Sequence, residues 1–393
     1  MKQRAVIAVL ATWLSAGLAQ AATPLFTDAK AADNFKLYWL VKTATPPVID
    51  GALGDAAWKN LEPLQDWGVC NYGRQDGAPG EIDLRACWDE RNLYLGARLY
   101  HRRDPAKDMA EFKRNLGNLA AAIYARECLE IHIDGNLDHA TRFQAIVNAG
   151  NERMMLWHYD FGWGILVNND YGLDADWESA GGIGDDHWTL EVRIALRDIQ
   201  VQPRAGYMFG INPCWFNWAD TRENSPGKYW WQFLTWSTHG DSHHDPRLYG
   251  RFLLVEEKPK DLVSGLRLAY PDLDKRTVMI QTPDGFTTVQ NGAVATQSYL
   301  EKLREELDRA RAARARLGTL AGGADQPALV ARMRSLWSSQ EETLKKLETE
   351  LDAKTVVNMG DLRRYRADLA KVADALDNAY WRTKQELFLQ DLP

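Results

Sequence analysis

Leu129-Glu130-Ile131-His132-Ile133-Asp134 carries apolar side chains at its odd positions and polar ones at its even positions. Thr189-Leu190-Glu191-Val192-Arg193-Ile194 repeats the two-residue period. Successive side chains of a strand point to opposite faces, so each run predicts a strand with an apolar core face and a polar one behind it. Similar short runs lie around them, among them Leu93–Tyr100, Phe143–Asn148, Tyr207–Trp215 and Leu248–Val255, separated by Gly, Asn, Asp and Pro. Many short strands with turn signals between them predict a mainly β chain, built as an antiparallel β-sandwich.

The texture changes after Lys258-Pro259-Lys260. A connector is expected over 258–296, with a hairpin around Thr282-Pro283-Asp284-Gly285, and an α-helical region over 297–393. Leu300, Leu303, Leu307, Ala310 and Leu317 mark one helix, and Met333, Leu336, Leu344, Leu347 and Leu351 a second, capped by Asp325. The third opens at Asp361 and carries Leu362, Tyr365, Leu369, Val372, Leu376, Ala379 and Thr383. Steps of three and four residues are a coiled-coil or three-helix stripe, closing either within one chain or between chains by self-association.

Residues 1–21 read as a secretory signal: Lys2 and Arg4, an apolar run over Ala5–Leu14, then Ala19-Gln20-Ala21 before the cut. The β-sandwich domain would then occupy 22–257 of an exported protein, periplasmic or secreted, with no membrane span left after signal removal. The 393 residues are 45% hydrophobic and 26% charged, which suits globular domains. The net charge is -7, and loss of the two leader cations makes it more negative, which argues against nucleic acid as a partner. Cys70, Cys87, Cys128 and Cys214 contain no C-x-x-C pair, so a zinc ribbon and covalent haem are disfavoured, and bridges and buried thiols both fit.

Several landmarks resemble family 9 carbohydrate-binding modules. They are Pro46-Pro47-Val48-Ile49-Asp50-Gly51 leading to Trp58, then Trp88-Asp89-Glu90-Arg91-Asn92-Leu93-Tyr94-Leu95 and Leu129–Asp134. Trp188–Ile194 and Asp245-Pro246-Arg247-Leu248-Tyr249-Gly250 complete the series, spread over residues 40–256 in the family's order. Most of these residues describe a fold and not a ligand. The resemblance implies a non-catalytic protein that recognises oligo- or polysaccharide in an aromatic-lined cleft and serves carbohydrate catabolism.

The same resemblance assigns the substrate-binding residues. Tyr124 and His243 stand where the family places its two ring-clamping aromatics, both commonly Trp. Glu130 matches the strand glutamate that binds sugar hydroxyls. Gln144 and Asn148 lie where the family has an arginine strand, and Trp236 is close in sequence to His243.

Other constellations carry weaker signals. Asp134-Gly135-Asn136-Leu137-Asp138 has the oxygen spacing of a short calcium loop, with Asp134, Asn136 and Asp138 as ligands, but lacks the terminal glutamate. His239-Gly240-Asp241-Ser242-His243-His244-Asp245 could supply imidazoles to zinc or copper; a polar ligand-facing loop explains it more simply. An alternative function is haem-b electron transfer, with Met154, Met155 and His158 as local axial candidates. Another is an accessory role beside a glycoside hydrolase; no motif singles out a pair of catalytic carboxylates here.

Overall fold

The computed structural model describes residues 34–69, 81–101, 109–110, 113, 123–160, 167–170, 174–219, 230–238, 243–283, 285–322, 327–357 and 359–390. The leader, Cys70 and residues 239–242 lie outside these ranges.

The β half runs β1 (Asn34–Lys42), the short helix α1 (Ala56–Lys59), β2 (Gly68–Val69), β3 (Glu81–Trp88), β4 (Asn92–Tyr100), β5 (Cys128–Asp134) and β6 (Thr141–Val147). It continues with β7 (Arg153–Asp160), β8 (Val167–Asp170), β9 (Trp177–Ile183), β10 (His187–Ala195), β11 (Met208–Ala219), β12 (Trp230–Thr235) and β13 (Gly250–Val255). Hydrogen-bonded neighbours follow the order β8-β7-β6-β5-β11-β13-β1-β3-β4-β10-β9, with β12 also on β11 and β2 on β12. The sandwich is therefore one curled sheet whose distant strands face each other across a shared core.

Contacts between distant strands show the curl. Trp188 on β10 donates its indole N–H to Glu127 Oε1 at 2.7 Å, just before β5. A Cβ at Gly181 on β9 would lie 2.5 Å from the Ala149 carbonyl oxygen after β6, so the backbones meet there. Leu84, Leu99, Ile131, Phe143, Trp188 and Phe252 belong to one enclosed core, and Cys128, Ile146, Cys214, Phe216 and Phe233 form a separate cluster on the other face. Pairing is antiparallel except at β1, which runs parallel to both β3 and β13. Parallel neighbours need a long crossover, which residues 43–80 supply between β1 and β3.

The family landmarks converge on two buried carboxylates. Glu191 on β10 accepts from the backbone N–H of Asp50 (3.0 Å) and Gly51 (2.6 Å) through Oε2, and from Trp58 Nε1 (2.8 Å) through Oε1. Thr189 Oγ1 donates to the Gly51 carbonyl at 2.6 Å. Gly51 sits at φ +83° with the backbone of Gly181 against it, a place no side chain fits. Glu127 gathers Trp188 Nε1, Trp215 Nε1 at 3.1 Å and His101 Nε2 at 3.1 Å. Asp89 closes the β3–β4 turn by accepting from the N–H of Arg91 and Asn92, each at 2.7 Å, and from the Tyr94 hydroxyl at 2.7 Å.

Beyond β13 come α2 (Leu262–Ala269) and the strands β14 (Thr277–Gln281), β15 (Gly285–Gln290) and β16 (Ala293–Ser298), which form antiparallel pairs. The expected hairpin joins β14 to β15, with Thr282 N–H donating to the Gly285 carbonyl at 2.9 Å. β14 also pairs in parallel with the start of β1, which extends the sheet into what the sequence suggested was only a connector. The helices are α3 (Tyr299–Gly322), α4 (Pro327–Asp352) and α5 (Met359–Gln390). Ser298 and Glu301 form a reciprocal cap at the start of α3: Ser298 N–H donates to Glu301 Oε2 (2.8 Å) and Glu301 N–H to Ser298 Oγ (3.1 Å). Arg366–Glu306 and Arg316–Asp377 pair α3 with α5 running the same way, while Arg311–Glu348 and Tyr365–Glu350 set α4 against both. The Leu stripe closes inside one chain as a three-helix bundle: Leu303, Leu307, Leu344, Leu362 and Leu376 are buried together, with Phe286 of β15 among them.

Candidate functional site

Residues of β5 with odd numbers enter the core, and those with even numbers line a second face that is also buried. Cys128, Glu130, His132 and Asp134 are each at most 4% exposed. Registry brings Glu130 beside Cys214 and Ile146, and His132 beside Asn212 and Gln144. β7 places His158 opposite Arg142. The turn before Tyr249 lays His243 and His244 over this face.

These side chains are wired together. Gln144 Nε2 donates to Glu130 Oε2 at 2.7 Å, and the same oxygen lies 3.1 Å from His132 Nε2 and 4.0 Å from His243 Nε2. Gln144 Oε1 is in turn hydrogen-bonded to His158 Nε2. Arg142 approaches His244 Nδ1 at 3.5 Å. Burial pushes the Glu130 carboxyl up to about 7, against the Gln144 hydrogen bond. Burial, and then the Arg142 charge, push His244 down to about 4. His132 and His243 are held well below the usual histidine value, first by burial and next by the neighbouring His244. At neutral pH the three rings are thus uncharged bases.

The residues expected to hold sugar are divided by this geometry. Tyr124, on the 3-10 turn Ile123–Ala125, is 57% exposed. Its turn is anchored by Arg126, which pairs with Glu152 at 2.6 Å, and by Glu127. Glu130 and Gln144 do come together, as an interior pair. His243 is only 7% exposed, with Phe233 and His244 ring centroids 4.3 and 3.8 Å away, so it is not the open wall expected opposite Tyr124. Trp236 is a core residue: it packs against Phe252, donates to the Gln65 carbonyl at 3.1 Å, and occupies the space a Cβ at Gly250 would need. Asn148 belongs to the β6–β7 turn, where its Oδ1 accepts from Gly150 N–H (3.0 Å) and Glu152 N–H (3.1 Å).

The calcium set also has other partners. Asp138 Oδ1 accepts from Ala140 and Thr141 N–H at 2.8 and 2.7 Å, and its Oδ2 from Thr141 Oγ1 and Asn136 Nδ2. Asp134 Oδ2 accepts from His139 N–H at 3.1 Å. Asn136 and Asp138 thus cap a turn, while Asp134 Oδ1 is buried with no hydrogen-bond partner among the described residues. The haem candidates do not converge either. Met154 and His158 share a face of β7 about 13 Å apart at strand rise, too far to grip one iron from opposite sides, and Met155 points to the core face. Cys87, Cys128 and Cys214 are buried.

Sequence reasoning missed Arg142, and it did not bring His132, His158 and His244 into one cluster, although His158 and His244 were singled out for other chemistry. The period of two in Leu129–Asp134 already put His132 on the face of Glu130. What it could not show is that this face is covered.

A family model described as "Carbohydrate family 9 binding domain-like" matches residues 49–257, just over half of the chain. Among solved structures, the chain is similar to a family 9 carbohydrate-binding module from Caldicellulosiruptor kristjanssonii in complex with glucose. That match has 19% identity and a TM-score of 0.39, and covers 58% of this chain and 99% of the other. The same organism's module in complex with cellotriose matches at 20% identity and a TM-score of 0.39, covering 58% and 97%. No curated relative matches the sequence.

Proposed function

The chain belongs to the carbohydrate family 9 binding domain-like family, and from that premise we propose that it is a non-catalytic carbohydrate-binding protein. The observation that carries the reading is the family match over residues 49–257, which takes in strands β2 to β13 of the curled sheet. In support, among the described Phe, Tyr and Trp residues of 49–257, Tyr124 is the one that is largely exposed, at 57%. The C–H face of a pyranose is apolar and stacks on such a ring. Glu130, Gln144 and His243 serve as a buried polar support on the second face of β5, while Trp236 and Asn148 serve the fold. The leader-like residues 1–21 support export to the periplasm or medium, and the family membership supports a role in carbohydrate catabolism.

Calorimetry with oligosaccharides and a glycan array on the full chain test the reading. Saturable binding without release of reducing sugar is expected, with at least a roughly tenfold loss of affinity in Tyr124→Ala at unchanged thermal stability. A folded sample that gives no signal with any glycan overturns it.

A further inference from the structure

We propose that His132, His243 and His244 form a binding site for a borderline divalent transition-metal ion, with zinc as its probe. One ring nitrogen from each lies within 4.8 Å of the other two. Zinc bound to imidazole at about 2.0–2.1 Å needs its nitrogens roughly 3.4 Å apart, so closing the set takes shifts of about an ångström. Such shifts lie within the reach of side-chain rotation.

The scaffold around the rings suits an ion. His132 is fixed on β5 between β6 and β11. His243 and His244 immediately precede the 3-10 turn Pro246–Leu248, which Asp245 caps by accepting from Arg247 N–H at 3.1 Å. His132 is 0% exposed, and its Nδ1 has no hydrogen-bond partner among the described residues. Its Nε2 lies 3.1 Å from Glu130 Oε2, so the carboxylate can hold one nitrogen while the other serves the metal. Gln144 holds Glu130 in turn. The negative charge of Glu130 offsets the ion's charge, against which the Arg142 guanidinium works from the His244 side. Phe233 and Tyr249 border the cluster with apolar surface. Imidazole donors of this kind favour zinc or copper over calcium or magnesium. The resulting site would pin the 243–249 turn to β5, independently of whether the chain binds sugar.

The test uses the full chain, stripped with a chelator and titrated with zinc against a chromogenic competitor. Binding of one zinc per chain is expected, accompanied by a higher unfolding temperature. His244→Ala should weaken binding by about 100-fold or more, whereas His187→Ala, at a histidine outside the cluster, should leave it unchanged. Cobalt substituted into the wild-type chain reads the site without any variant: intense visible bands of a four-coordinate nitrogen-rich ion are expected. Folded chain that binds no stoichiometric zinc, gives only the weak spectrum of hydrated cobalt, or binds equally well as His244→Ala overturns the proposal. Because the readout contains no glycan, its failure is separate from a failure of sugar binding.

Discussion

The curled sheet and the helical bundle handle burial in opposite ways. In the bundle each helix has one buried stripe, almost wholly aliphatic, and its charges pair on the outside, as in Arg316–Asp377 with both side chains about half exposed. Glu306, matched by Arg366, is the buried carboxylate among the described bundle residues. In the sheet, β5 buries both faces, and four carboxylates among the described residues, Glu127, Glu130, Asp134 and Glu191, lie inside with donors around them. A strand within a covered sheet can hold polar groups away from water at positions fixed by backbone pairing. A bundle helix of this kind does so rarely, Glu306 being the described case, because its polar side meets solvent.

The sharpest test of that contrast is acid, applied to the metal-free chain. Below about pH 6.5 the histidines of an unfolded chain take up protons, while His132, His243 and His244 in the fold resist them. Their contribution to stability is present above that pH and is lost as pH falls toward about 4 for His244. Glu130 runs the other way: raised to about 7, it takes its proton more readily in the fold than in the unfolded chain, so its contribution grows as pH falls. Three histidines against one carboxyl leave the unfolded state holding more protons across this window, so the sheet loses stability as pH falls through it. Hydrogen exchange should therefore accelerate in 128–134 and 141–147 and much less in 359–376. Equal acceleration in both would erase the contrast.

Glu191→Ala probes the polar keystone directly. It leaves Trp58 Nε1 and the N–H groups of Asp50 and Gly51 without their acceptor, at a cost of about 3–5 kcal/mol. The aliphatic counterpart is Leu344→Ala in the bundle core, fully buried, for which about 3 kcal/mol is expected from lost contact and the cavity left behind. Denaturant titrations followed by sheet-region and helix-region exchange should place the first loss in the sheet and the second in the bundle. A Glu191→Ala chain as stable as the parent would reduce the carboxylate to a bystander.

Much of this was legible in the residues. Period two at Leu129–Asp134 fixed the face of each β5 side chain, and the 3-4 spacing of Leu300, Leu303 and Leu307 fixed the bundle stripe, because both follow from local geometry. The family landmarks marked the sheet, but not that Asp50-Gly51, Trp58 and Glu191 are one hydrogen-bonded unit joined across 140 residues. The cluster itself was illegible for the same reason. His132 and His243 stand far apart in the chain, and only the curl of the sheet and the turn over β5 bring their rings to 5.4 Å. Trp236 lies in the core and Asn148 in the β6–β7 turn, because neither nearness in sequence to His243 nor a place on the family's neighbouring strand says which side a side chain takes.

Tyr124→Ala has the smallest expected effect on stability and the most to say about function. A ring 57% exposed leaves little cavity when removed, and its turn keeps Arg126–Glu152 and the Glu127 bonds, so a change within about 0.5 kcal/mol is expected. Against that near-silent background a loss of glycan affinity reports the ring's own contact with ligand. If affinity instead survives Tyr124→Ala and falls with Glu130→Gln, recognition belongs to the covered polar face of β5 and not to the exposed turn beside it. The two variants together thus decide whether the sheet uses its buried polar groups for ligand or only to shape the surface that meets it.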